Sequence, residues 1–432
     1  VKRSEPRVAP DRYLSMNISN VRMIPSSRPA RLIASLITAV VIAVVSGHSH
    51  AQSGLRPEVG KPLQAAQDLI KSGKYREALA KVREADAVGG KTANENMMVE
   101  RMRLAAASGA GDADTAAKAF ETVSSGVGGA DKLRMIESIA GTYYRSKEYA
   151  KAMQWYQRYF KEGGTSGANR TLLIQTQYLS GDYAGASKEL TAEIQAAERS
   201  GTTPAEDRIN LLMNAAIKQK DIAGETFALE RLVSYYPKKE YWVTLLNRMQ
   251  RKPNFSDRLS LDTYRLSLAT GSMTAGNDFS EMTQLALQAG STAEAKQVVE
   301  KGFASGALGT GPEAERHKRL RDLVNKKVEE AKATQAENEK QALAAKDGND
   351  LLTIGMNQVF EGQKAKGVQL MQQGIAKGGL KRPDDAKLHL GIAQLLAGEN
   401  AKAQTTFKGV AGNDGTADMA RLWSLYARRA KG

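Results

Sequence analysis

Residues 143–160, YYRSKEYAKAMQWYQRYF, hold one apolar stretch ending at Tyr144, a polar break at Arg145-Ser146-Lys147-Glu148, and a second stretch that is amphipathic. In the second stretch Tyr149, Ala152 and Tyr156 fall at i, i+3 and i+7, one face of a helix. The break is a turn and the whole is a helical hairpin. Counting from Lys147 as the turn, an aromatic stands two residues later, an alanine five later and a bulky apolar residue nine later. The same marks recur along the chain as Gly73, Tyr75, Ala78 and Val82, as Gly111, Ala116 and Phe120, and as Gly181, Tyr183, Ala186 and Leu190. A weaker copy reads Lys220, Ile222, Glu225 and Leu229. Later copies read Gly290, Ala295 and Val299, then Gly362, Gly367 and Met371, then Gly398, Ala403 and Phe407.

The turn marks are 38, 36, 34 and 39 residues apart up to Lys220, and 36 apart between Gly362 and Gly398. Self-similarity at such a period signals stacked supersecondary units. Each mark has a mechanical reason. Glycine or a polar residue turns the chain, alanine lets two helices approach closely, and the aromatic fills the groove of the next pair. Ala66, Ala140, Gly355 and Gly391, seven residues before their turns, do the same on the first helix. The 70 residues from Lys220 to Gly290 leave room for one degenerate hairpin, with helices near Tyr241–Met249 and Asp257–Ala269. This pattern, with Leu390-Gly391 as a Leu-Gly pair, resembles the tetratricopeptide repeat over most of 58–303 and 348–430. A generic α-solenoid is the alternative. The resemblance implies an all-α, right-handed solenoid of antiparallel helix pairs.

Composition agrees with that fold. The chain has 432 residues, 41% apolar and 25% charged, with 6% aromatic and no cysteine. Those fractions are ordinary for folded proteins, and the length exceeds the ~100–200 residues of one domain. Without cysteine there is no disulfide, zinc ribbon or thiol nucleophile.

Leu32–Val45 is a fourteen-residue run without charge, preceded by Arg28 and Arg31 and followed by small residues at Ser49 and Ala51. That layout predicts a secretory signal peptide over 1–51, cleaved before Gln52, with Met16 or Met23 as its start. Fourteen helical residues span only ~21 Å, short of a ~30 Å hydrocarbon core, so no membrane span is expected after cleavage. The expected location is the periplasm or the secreted fraction. Cleavage removes seven basic and two acidic residues from totals of 62 and 47, leaving 55 and 45 and a net charge of +10. In an exported protein this balance points away from nucleic acid and toward acidic protein surfaces or an anionic polysaccharide.

The predicted organisation is a repeat array over 52–310, a charged helical spacer over 311–350 and a repeat pair over 351–432. In the spacer, Leu320, Leu323, Val324 and Val328 have helical spacing before the sequence turns polar, too few apolar heptads for a coiled coil.

No catalytic, cofactor or metal site is expected. Ala85 to Thr92 imitates a phosphate loop, but it follows a helix of a repeat where a strand is required. Gly306, Gly309 and Gly311 imitate a dinucleotide fingerprint with no strand before them. His317 and His389 have no carboxylate at triad or metal spacing, and Glu329-Glu330 and Asp384-Asp385 read as solvated pairs.

The resemblance implies that the first helix of each hairpin lines a concave, partner-binding side. Residues three before and one, four and five after each small residue share that face. They include Glu137, Tyr144 and Arg145 around Ala140, Gln175 and Tyr178 around Ile174, and Asn210, Asn214 and Lys218 around Met213. The expected function is a non-catalytic envelope scaffold that holds a protein or peptide partner. The alternative is a scaffold subunit of a polysaccharide or secretion apparatus that contacts an acidic polymer.

Overall fold

The computed structural model describes residues 55–429, and among these every regular element is helical. The expected signal peptide and its cleavage point lie outside the described residues. The fold is an all-α array of antiparallel helix pairs.

Two compact units divide the chain between Glu225 and Thr226. The N-terminal unit stacks four hairpins. These are α1 (Pro57–Lys71) with α2 (Tyr75–Asp86), α3 (Ala93–Ala110) with α4 (Ala113–Val123), α5 (Gly129–Arg145) with α6 (Tyr149–Lys161), and α7 (Gly167–Ser180) with α8 (Tyr183–Arg199). α9 (Glu206–Gln219) follows, and α10 (Ile222–Tyr235) contains the division. The C-terminal unit continues with α11 (Lys239–Gln250), a 3-10 turn at Asp257–Leu259, α12 (Ser260–Ala269), α13 (Gly276–Gln288) and α14 (Thr292–Ala304). It ends with the long α15 (Ala314–Ala344), then α16 (Asn349–Phe360), α17 (Lys364–Lys377), α18 (Pro383–Leu396), α19 (Asn400–Lys408) and α20 (Thr416–Arg429).

All eight turn marks read from the sequence adopt positive φ. Six are glycine, for which this region is free of steric cost. The other two, Lys147 (φ 62°) and Lys220 (φ 58°), are the only non-glycine residues with positive φ among the described residues. The turn closes by the same bond in both: Glu148 N donates to Tyr143 O at 3.0 Å and Asp221 N to Ala216 O at 2.9 Å. This bond caps an orphan carbonyl at the helix end. The alanine marks Ala78, Ala116, Ala152, Ala186, Ala295 and Ala403 are all 0% exposed, and the bulky marks are buried as well. Helix contact at these sites is close. A Cβ on Gly109 of α3 would lie 2.2 Å from the ring of Tyr75, so the aromatic of one hairpin fills the groove of the next.

The segment 311–350 differs from the expected spacer. α15 packs against α13, α14 and α16, burying His317, Val324, Val328 and Ala342. Its polar half is also engaged: Glu339 accepts from Gln358 Nε2 and Lys366 Nζ, both at 2.8 Å. A narrow buried stripe is enough here because alanine and the long polar side chains complete it, whereas Leu323, read as part of the apolar face, is 45% exposed. The structure therefore places this helix inside the C-terminal unit.

That unit also closes on itself. Its last helix, α20, packs on α12, and Ser256 N donates to Asp414 O at 2.9 Å. Lys252 pairs with Asp418 at 2.8 Å, while Arg258 pairs with Asp385 at 2.8 Å and Asp414 at 2.7 Å. Asp385, read from the sequence as a solvated pair with Asp384, is thus a partner of Arg258.

Candidate functional site

In the N-terminal unit the first helices α1, α3 and α5 touch in succession, as one layer, and the second helices form the other. Hydrophobic burial of the second-helix marks sets this order and leaves the outer stripe of each first helix to carry polar groups.

The structure brings Tyr144 and Gln175 together: the Tyr144 hydroxyl donates to Gln175 Oε1 at 3.2 Å, joining α5 to α7. Tyr144 also meets Tyr149 edge to face at 5.8 Å, and 34 residues on Tyr178 meets Tyr183 in the same way at 5.3 Å. Both first-helix tyrosines are half-buried, and desolvation raises their hydroxyl pKa values. Glu137 is half-buried beside Asn169 of α7, and burial raises its carboxyl pKa. Arg145 is exposed but anchored, donating to Thr142 Oγ1 at 3.0 Å and to Ser108 O at 3.3 Å. Asn210 and Asn214 are half-buried on α9, followed by exposed Ile217 and Lys218.

The phosphate-loop imitation is a structural turn. Thr92 caps α3, its Oγ1 accepting from Glu95 N at 3.2 Å while its own N donates to Glu95 Oε2 at 2.8 Å, a capping box. Glu95 is 0% exposed and accepts from the Nε and Nη2 of Arg56, both at 3.0 Å. The Arg56 hydrogen bonds, with the backbone ones, hold its carboxyl at about 2. Lys91, the residue a phosphate would need, donates instead to Val88 O at 2.9 Å.

The C-terminal unit contains a cluster that the sequence reading did not find. Arg265 on α12 donates from Nε and Nη2 to Glu294 of α14, both at 2.6 Å, and from Nη1 to Asp262 at 2.8 Å. His389 of α18 lies 3.0 Å from Asp262, so the histidine does have a carboxylate partner, 127 residues away in sequence. Asp262 and Arg265 are fully enclosed. Burial opposes the Asp262 charge, but His389 and Arg265 prevail and hold the carboxyl at about 2, while Glu294 and Asp262 raise Arg265 against the same opposition. His317 is a packing residue, its Nδ1 accepting from Gly309 N at 3.2 Å.

Two cavities, of about 460 Å³ and about 390 Å³, both have Arg265 in their walls. The larger is mainly apolar, with Leu268, Phe360, Ile392 and Trp423. The smaller is polar, with Arg258, Arg382, Asp385 and His389. One signal for this cluster lay in the sequence: Asp262 occupies a core position between Leu259 and Leu266. Among the described residues no group of three or more His, Asp or Glu is placed to hold a metal. No described helix is long and apolar enough to cross a membrane.

No protein-family model and no curated protein matches the sequence. Solved structures similar to it include the complex of the TPR2AB domain of yeast Sti1 with pHSP90, at 12% identity and TM-score 0.22, covering 69% of this chain and all of that one. Yeast Tom70 aligns at 11% identity and TM-score 0.22, over 86% of this chain and 96% of that one. Naa15/Naa10 bound to HypK-THB aligns at 15% identity and TM-score 0.26, over 93% and 73%. Similarity at this level assigns neither partner nor activity.

Proposed function

We propose that this protein is a non-catalytic interaction scaffold of the cell envelope, which holds a protein partner as an extended segment along the first helices of its N-terminal unit. The observation that carries this reading is the Tyr144–Gln175 bond between α5 and α7, flanked by the repeated Tyr144–Tyr149 and Tyr178–Tyr183 pairs. Such a row offers what an extended chain needs. Rigid aromatic faces take side chains at low entropic cost, amides at Gln175 and Asn214 pair with backbone groups, and Lys218 meets carboxylates. Export follows from the arginine-flanked apolar run, and the mature chain begins near Gln52.

Photo-crosslinking tests the reading. Benzoylphenylalanine at positions 178 and 214 is expected to capture the partner in vivo, and at Lys188, exposed on the second helix α8, it is not. Capture from position 188 alone would reverse the assignment of faces. The double change Arg145→Ala and Lys218→Ala is expected to weaken capture, with most of any stability loss coming from Arg145 because its guanidinium also ties α5 to Ser108 O. Binding that collapses steeply with salt would indicate an acidic polymer instead. N-terminal sequencing of the exported protein is expected to begin at or near Gln52, and a cytoplasmic full-length chain would refute export.

A further inference from the structure

We propose that the larger cavity of the C-terminal unit is a binding site for a small amphipathic monoanion, an aliphatic carboxylate of medium chain length. Its volume of about 460 Å³ lies within the ~300–1,000 Å³ of small-molecule sites. The walls suit a tail: Leu268, Met282, Val298, Phe360, Ile392 and Leu395 line it from five helices. The charges of the lining do not balance. Arg265 is fully engaged, by Glu294 through two 2.6 Å hydrogen bonds and by Asp262 at 2.8 Å. That leaves Lys301 of α14, which is exposed and forms no ion pair among the described residues, as a single uncompensated cation in the lining.

A second observation asks for an acceptor. Trp423 lines the same cavity at 2% exposure, and its indole Nε1 is buried with no hydrogen-bond partner. Buried donors in folded proteins are nearly always paired, so this enclosed N–H is a donor still without an acceptor in the wall of the cavity. A carboxylate brings both the acceptor and the countercharge, and its tail covers the apolar wall. A peptide is the poorer occupant because its N–H groups would need a row of acceptors, and with Glu294 taken by Arg265 the lining side chains offer only Gln297, Asn400 and Tyr426.

Calorimetric titration of the full chain with sodium decanoate, below its micelle concentration, tests this. One equivalent is expected to bind. Lys301→Glu, a surface change that leaves the helical melt intact, is expected to weaken binding roughly fivefold to tenfold. Leu268→Trp, which fills the cavity, is expected to abolish it, and 1-decanol, which lacks the charge, is expected to bind more weakly than decanoate. Three outcomes would overturn the proposal: no binding of decanoate, equal binding to the wild type and both variants, or displacement of decanoate by a short peptide with a free C-terminal leucine that binds more tightly.

Discussion

In the N-terminal unit, ion pairs run between neighbouring helices at the surface. Lys151 meets Asp114 at 2.8 Å, Arg170 meets Glu189 at 2.7 Å and Arg208 meets Glu193 at 2.6 Å, each pair with at least one partner substantially exposed. In the C-terminal unit the counterpart is Arg265 with Asp262 and Glu294, where no side chain is more than 6% exposed. The difference follows from how each unit packs. Where hairpins contact only their neighbours, the small residues bury and most charges stay in water, the enclosed Glu95 with its Arg56 partner being the exception. Where α20 comes back onto α12, side chains of α12, α14 and α18 are trapped in a shared interior, and any charge among them must be paired. Surface pairs contribute little, whereas a buried cluster holds strongly against loss of one member.

The sharpest way to break this comparison is Arg265→Met, which leaves Asp262 and Glu294 buried without their cation. A loss of about 3–5 kcal/mol is expected, confined to the C-terminal unit. Urea unfolding followed by hydrogen exchange resolves the units, and a loss below ~1 kcal/mol would show that the cluster is not the enclosed one described. Ala152→Leu probes the other unit, where α5 and α6 meet. Overpacking is expected to cost about 1–3 kcal/mol and to destabilise the N-terminal unit alone, as read from the same exchange experiment.

Acid acts on both units. Glu95 in the first, and Asp262 and Asp414 in the second, have carboxyls held at about 2. Because these folded values are depressed, their contribution is fully present above the ordinary carboxylate range of ~4 and is lost as pH falls toward ~2. The urea midpoint is expected to drop across that window, and Glu95→Gln should flatten the part of the drop that belongs to the N-terminal unit. A midpoint independent of pH between 4 and 2 would contradict the geometry of all three groups.

The smallest expected effect has the opposite sign. Lys147 and Lys220 hold a left-handed conformation that disfavours any residue with a Cβ, so Lys147→Gly and Lys220→Gly are each expected to stabilise by about 0.5–1 kcal/mol. Thermal melting of each variant measures this, and a lowered midpoint would mean that the lysine side chains contribute more than the turn strain costs.

The repeat was legible because its marks are local. A turn needs positive φ within one residue of its place, and a helix contact needs a small side chain one turn and a half away, so Lys147, Ala152 and Tyr156 reveal their roles without knowledge of the rest of the chain. Tyr144 and Gln175, placed by the sequence on the stripes of two different first helices, meet between α5 and α7. Their neighbour Arg145 shows the limit of that reading, since only the packing of α5 on α3 could show that its guanidinium is engaged with Ser108 O. α15 shows it again, for a stripe of His317, Val324, Val328 and Ala342 is too sparse to announce a buried face until α13, α14 and α16 supply the other side.

What the sequence by itself determined is the hairpin, its period and its turns, because those rest on spacings within some forty residues. Tertiary structure alone decided that Asp262 and Glu294 would converge on one arginine, with His389 against Asp262, and that Trp423 would wall a cavity beside it. Those contacts join residues up to 127 positions apart in the charge cluster. No periodicity encodes such distances, since they exist only once the unit's last helix has packed against its early ones.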